Sequence, residues 1–519
     1  MTMWPWATAV ALSATAVFAF PSADPLAFGV LERRGSSLED CLKNRQVAFS
    51  DSSSANFSAL SKPYNLRLQY KPTAIALPTT AQQVSDAVVC AAAAGVKVQP
   101  KCGGHSYASY SLGGQDGSFV IDLENLQSIT VDQNTQIAQV GGGVRLGNLA
   151  LALYNNGHRA VSHGTCPGVG IGGHFTHGGS GLASRRWGLA LDSIVGLDVV
   201  LANGTQVYAS DESYPDIFYV MRGAAESFGI VTTFHLQTQA APDSVVDFAI
   251  NFEGALNSAD AAAAAFLHIQ KVAQDASIVD RDLAFRIYLD PNQYRVYGFY
   301  YNGEDNFRNK IYPALTRGLP VSTKTPPSIR TLGWLDALLD LSNEKTLQTP
   351  FTGYNEHDNF YAKSVVTQEA EPLTQAAVKS YFDYLLSNGR NTQFGWFSII
   401  DLYGGPDSQI NVHSVDSSAY SHRSSLFVMQ HYARTYNSLP GSADVTDAMI
   451  GYISNLVHAL ESPQSNGDFA AYANYVDPLL DATTAHQLYY GPETYQKLLN
   501  IKNQVDPQRL FWNPQTIGS

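Results

Sequence analysis

At 519 residues the chain is too long for one ordinary core, so it predicts two domains. Hydrophobic residues at 45% and aromatic residues at 11% describe a folded protein and exclude a disordered one. A net charge of -13, with only 15% of residues charged, excludes a nucleic-acid partner, because phosphate neutralisation needs concentrated Lys and Arg.

In chain order, Met1 to Phe20 is an apolar run of Ala, Val, Leu and Phe with Val17-Phe18-Ala19 at its end. It reads as a secretory signal peptide over residues 1–23, although a basic n-region is missing. A membrane anchor would need a longer apolar span, so no membrane partner is expected. Arg33-Arg34 is a candidate processing site that would end a propeptide at residue 34. Asn56-Phe57-Ser58 and Asn203-Gly204-Thr205 are glycosylation acceptors, in keeping with a secreted, extracellular protein.

Four cysteines in a chain this long are not a disulfide scaffold. Cys41 lies just after the expected mature start, and Cys90 sits in the helical run QQVSDAVVCAAAAG, so a bridge would staple the N-terminal segment to that helix. Cys102 and Cys166 remain, and oxidation would favour pairing them. Their surroundings argue otherwise. The strand-like VKVQPK breaks into Cys102, Gly103, Gly104 and His105; IAQVGGG leads into an apolar helix; and SHGTCPGVGIGGHFTHGG places Cys166 between His163 and His174. Glycine lets backbone amides approach a ligand closely, and repeated amide-rich turns at strand ends suit a phosphate-bearing cofactor. The P-loop and Rossmann fingerprints are absent. A zinc site from His163, Cys166, His174 and His177 lacks any paired CxxC or HExxH, and no metal is expected. A nucleophilic Cys166 lacks an identifiable base.

Farther along, LANGTQVY reads as a hairpin turning at Asn203-Gly204. After Pro242 the composition shifts. FRIYLD, YRVYGFYYNG and FGWFSIIDLYGG alternate as strands, while DAAAAAFLHIQKVAQ and TQAAVKSYFDYLLSNG read as amphipathic helices, giving a sheet with helices on one face.

CGGHSY, HGTCPGVGIGGHFTHGG, GLALDSIVGLDVVLANG, MRGAAESFGIVTTF, YANYVDP and DPQRLFWNPQTI, in that order, resemble the berberine-bridge-enzyme-like flavoproteins, and most of all their fungal oligosaccharide oxidases. The resemblance implies an α+β, two-domain vanillyl-alcohol-oxidase type fold. Its FAD-binding domain would span 35–242, its substrate domain, an antiparallel sheet covered by helices, 243–467, and a C-terminal segment returning to the FAD domain 468–519. It also implies FAD attached covalently through His105 and Cys166. Gly103, Gly104, Ser106, Gly164, Val169, Gly173, His174 and Ile230 would contact the cofactor. Tyr475 would act as the base that deprotonates the C1 hydroxyl of a reducing sugar, and Asp401 as the carboxylate that hydrogen-bonds it. Tyr107, Tyr472, Gln430 and Tyr288 would surround the sugar.

Two departures from the glucan-active pattern, Ile399 in place of Gln and Tyr288 in place of an acidic residue, leave gluco-, xylo- and chito-oligosaccharides open as substrates. Ala224, Ala225 and Glu226 stand where many relatives have glycines. In the family that the chain resembles, a Val after the CPG segment goes with oxygen access, so the resemblance makes Val169 lean towards O2 as acceptor, with a dehydrogenase serving other secreted redox enzymes as the runner-up. A secondary-metabolite oxidase of the same fold and a flavin-free carbohydrate-binding protein are the other readings.

Overall fold

The computed structural model describes residues 37–436 and 441–519. The expected signal peptide and the Arg33-Arg34 site lie outside the described residues. Ser37 caps the first helix, Leu38–Asn44, by accepting from Asp40 N at 3.1 Å. Thr80 caps Ala81–Ala94 in the same way, and Gly95 closes that helix in the left-handed conformation. Cys41 and Cys90 join these two helices in a disulfide, as expected, while Cys102 and Cys166 are both free thiols.

Two larger sheets make the first part of the chain, beside a two-stranded pairing of Arg159–Ala160 with Gln239–Ala240. A four-stranded sheet orders Phe49–Asp51, Ala74–Ala76, Phe119–Asp122 and Val98–Lys101, with parallel pairing on both sides of Phe119–Asp122. An antiparallel five-stranded sheet orders Ile129–Val131, Ile137–Gly141, Gly229–Gln237, Ile194–Leu201 and Gln206–Ala209. Its last two strands form the expected hairpin. Gly204 takes φ 81°, and Asn203 accepts from Thr205 N at 2.9 Å. Both Asn56 and Asn203 are exposed, so neither acceptor asparagine is shielded.

The third sheet is antiparallel and seven-stranded, in the order Ser328–Leu332, Val245–Asn251, Tyr294–Tyr300, Leu283–Leu289, Gly395–Leu402, Ser425–Arg434 and Phe360–Gln368. Helices Ala259–Ala273, Gln375–Asn388 and Ala443–Glu461 pack on one face through Phe266, Phe382 and Leu456. Each such fully buried side chain contributes about 1.5–3 kcal/mol. Strand side chains alternate between faces. Phe285 and Ile287, Trp396 and Ile400, and Met429 and Ala433 therefore enter the helix-covered core. Arg286, Phe397, Asp401, Gln430 and Tyr432 point the other way, into a cavity.

The chain then returns. Residues 472–476 pass along that cavity, helix Ala482–Val505 follows, and Phe511 bridges to Val98 at the edge of the four-stranded sheet. The result is a mixed α+β fold, as expected.

The disulfide closes a separation of 49 residues, so replacing Cys41 and Cys90 by serine is expected to destabilise the protein. A loss of about 2–4 kcal/mol should appear as a lower midpoint in thermal or urea unfolding.

Candidate active site

Segments far apart in sequence converge as three walls on one cavity of about 670 Å³. Gly103 to Tyr107 form one wall; Gly164, Cys166, Val169, Gly173 and His174 form another; and Asp401, Gln430, Tyr472 and Tyr475 close the third. The first two walls touch at glycine. A Cβ on Gly103 would run into the backbone nitrogen of Gly170, whereas a Cβ on Gly173 would meet nothing within 4 Å. Arg145, buried beneath, ties these turns together by donating to Gly103 O at 3.0 Å and Gly168 O at 2.6 Å.

His105 stacks on Tyr64 with ring centroids 4.3 Å apart, and its Nε2 is buried without a hydrogen-bond partner. The Glu356 carboxylate is 3.9 Å from that nitrogen. Burial, with help from the charge of Arg145, pushes His105 down to about 3, so the ring is neutral and keeps a lone pair for bond formation. Cys166 is exposed only in the sense that it faces the cavity. Protein surrounds it closely enough to push its thiol up to about 11, against the pull of Arg286. His174 accepts from Gly164 N at 2.8 Å and is likewise held neutral by burial.

Tyr107 and Tyr475 stack at 5.6 Å, and Gln430 Nε2 donates to the Tyr107 hydroxyl at 2.6 Å. Tyr472 lines the cavity, and its hydroxyl accepts from Gly179 N at 2.8 Å and from Asn474 Nδ2 at 3.0 Å. Burial raises the Tyr475 phenol well above its ordinary value; Asp401, Tyr107 and Tyr472 add to the rise, and Arg286 opposes it. The expected Asp401 to Tyr475 hydrogen bond takes a different form. Asp401 Oδ1 accepts from Arg286 Nε at 2.7 Å, and its charge reaches Tyr475 through space.

Two further expectations need correction. Ile230 is 1% exposed and lies in the core with Val200 and Phe511, so its side chain does not line the cavity. Tyr288 does not line it either, since it stacks behind Phe397 with centroids 6.0 Å apart. Arg286, Tyr64, Glu356 and the His177–Glu226 pair were missed. For Arg286 a signal existed, because an arginine inside the apolar strand FRIYLD shares its face with Tyr288. The other groupings come from tertiary contact alone.

The donor set suits a flavin. Among the described residues there is no cluster of His, Cys, Asp and Glu able to hold a metal, and no helix long and apolar enough to cross a membrane. A neutral histidine with an orphaned nitrogen, a thiol and glycine-rich backbone line one cavity, as the isoalloxazine ring and the pyrophosphate of FAD require.

An FAD binding domain model matches residues 72–210, and a berberine and berberine like model matches residues 471–518. The xylooligosaccharide oxidase of Thermothelomyces thermophilus is 35% identical over 484 residues, covering 93% of this chain and 94% of that protein. The chitooligosaccharide oxidase of Gibberella zeae is 33% identical over the same shares. A solved xylooligosaccharide oxidase from Myceliophthora thermophila C1, in complex with xylobiose, superposes with a TM-score of 0.86, covering 93% of this chain and 99% of that one. A solved Acremonium strictum glucooligosaccharide oxidase, 29% identical with a TM-score of 0.86 over 93% of this chain and 99% of that one, is described as holding 6-S-cysteinyl, 8α-N1-histidyl FAD.

Fold and cavity thus define a flavoprotein oxidoreductase with the vanillyl-alcohol-oxidase type of FAD fold. The chain belongs to the berberine-bridge-enzyme-like family of FAD-dependent oxidoreductases, alongside the fungal oligosaccharide oxidases.

His177 and Glu226, both on the cavity wall, are hydrogen-bonded to each other. Burial pushes the histidine down, yet the carboxylate outweighs it and the net shift is upward; the carboxylate, raised by burial, is brought below its ordinary value by the histidine. The histidine's share of stability is whole below its ordinary 6.5 and fades as pH rises through the raised value. The carboxylate's share is whole above its ordinary 4.5 and fades as pH falls through the lowered value. Glu226→Gln should therefore lower the melting temperature most between pH 4.5 and 6.5, with a smaller difference on either side.

Proposed function

We propose that the protein is a secreted oxidase that converts the C1 hydroxyl of reducing-end oligosaccharides to a lactone, using FAD bound covalently through His105 and Cys166. When bound, FAD supplies the hydride acceptor, with O2 reduced to H2O2 as the final electron sink. The same reading divides the chain into an FAD-binding part, 35–242, a substrate part, 243–467, and a returning C-terminal segment, 468–519.

One observation carries the reading: His105 and Cys166 line the same cavity as Tyr475, Asp401 and Gln430, in a chain alignable over almost its whole length with oligosaccharide oxidases. A hemiacetal hydroxyl loses its proton as the C1 hydride leaves, and a base within hydrogen-bond reach lowers that barrier. Tyr475 takes this proton, and Asp401 accepts the one that the tyrosine gives up. Tyr107 and Gln430, already joined to each other, present a ring face and amide groups to a neutral pyranose. Val169 lines the cavity and supports access for O2. The apolar leader, the disulfide and the exposed Asn56 and Asn203 support secretion and glycosylation.

Acid precipitation tests the linkage. Yellow colour should stay with the wild-type pellet and with each single variant, His105→Ala or Cys166→Ala, and should leave with the double variant; a colourless wild-type pellet would defeat both assignments. Tyr475→Phe should slow anaerobic bleaching by a reducing sugar by about 10²–10⁴-fold without releasing flavin, as stopped-flow absorbance would read.

A further inference from the structure

Arg286 is 7% exposed and held on several sides. Its Nε donates to Asp401 Oδ1 at 2.7 Å, its Nη1 donates to Thr165 Oγ1 at 3.2 Å, and its guanidinium carbon lies 5.7 Å from the centre of the Tyr297 ring. Arg286 and Asp401 are direct partners across neighbouring strands, so the sheet register sets their meeting. Stability alone is a poor reason for such a pair, since a buried ion pair can often be replaced by apolar residues without loss. Its place is informative: one partner faces Tyr475, and the other reaches the segment carrying Cys166.

We propose that Arg286 is a positioning residue for proton removal, holding Asp401 ionised and aimed at Tyr475 and tying that pair to the Thr165-Cys166 segment. The inference rests on the reading of this cavity as a site of sugar oxidation. The proton leaving the C1 hydroxyl goes to the Tyr475 oxygen, the tyrosine's own proton goes to Asp401, and the hydride leaves C1 for FAD. Asp401 can receive only if it starts as a carboxylate. Burial alone pushes its carboxyl up, and Arg286 offsets part of that rise. Tyr297 faces the pair from the neighbouring strand, Tyr403 from the end of the Asp401 strand, Tyr475 from the C-terminal segment and Cys166 from the glycine-rich segment. Phenols and thiols titrate in the alkaline range, so an acid limb in the rate reports the carboxylate.

The test follows kcat and KM against pH for wild type, Arg286→Met and Arg286→Lys, with xylobiose and cellobiose as probes. Two readouts do not depend on turnover: the visible spectrum of the acid-precipitated protein, and the dissociation constant of a non-oxidisable methyl glycoside from its visible difference spectrum. In Arg286→Met the acid limb of kcat should move to higher pH by about 1–3 units, with flavin retained and glycoside binding unchanged. Arg286→Lys, which keeps the cation and guards against a methionine variant that does not fold, should return part of the shift. An acid limb that stays put in whichever variants fold, or a loss of kcat equal at every pH, overturns the inference while leaving the oxidase reading intact. If wild type oxidises no reducing sugar, the oxidase reading falls and takes this inference with it.

Discussion

The period of two along the strands of the seven-stranded sheet is the constraint on which the site depends. Helices cover one face with apolar contacts, so every second residue is free to be polar. Arg286, Asp401 and Gln430 occupy that second set on three adjacent strands. A slip of one residue in any of these strands would bury a charged or amide group beneath the helices and turn an isoleucine or methionine into the cavity. The cavity face and the core are therefore fixed by the same register, and neither can be altered alone.

Burial governs the chemistry of the groups so placed. It keeps His105 and His174 neutral and lifts Cys166 and Tyr475 away from their charged forms. Such an environment favours nucleophiles with free lone pairs and opposes anionic bases. Arg286 is the counterweight, since its charge pulls down both Cys166 and Tyr475 while it pairs with Asp401. At the Glu226 end of the cavity His177 serves the carboxylate in the same manner.

Features written as local patterns were legible in the sequence. The Cys41–Cys90 staple, the hairpin at Asn203-Gly204, the strands and helices after Pro242, and the glycine turns bearing His105 and Cys166 all depend on neighbours in the chain or on a family motif. Contacts between distant segments were not. The charge of Arg286 gains meaning only when the strand Leu283–Leu289 meets Gly395–Leu402, and Glu226 finds His177 across a separation of 49 residues. Ile230 and Tyr288 fall in the right strands, but the packing turns one into the core and sets the other behind Phe397.

Tyr472 and Tyr475 come after all the described strands in the chain, and their segment is locked down by the Tyr472 hydroxyl and by the Phe511 to Val98 bridge. During synthesis both glycine-rich walls emerge long before the third wall exists, and domains fold as their residues become available. A nascent protein thus presents an open trough. The order of the chain makes the two glycine-rich walls the early part of the cavity and the Tyr472 to Tyr475 segment its last.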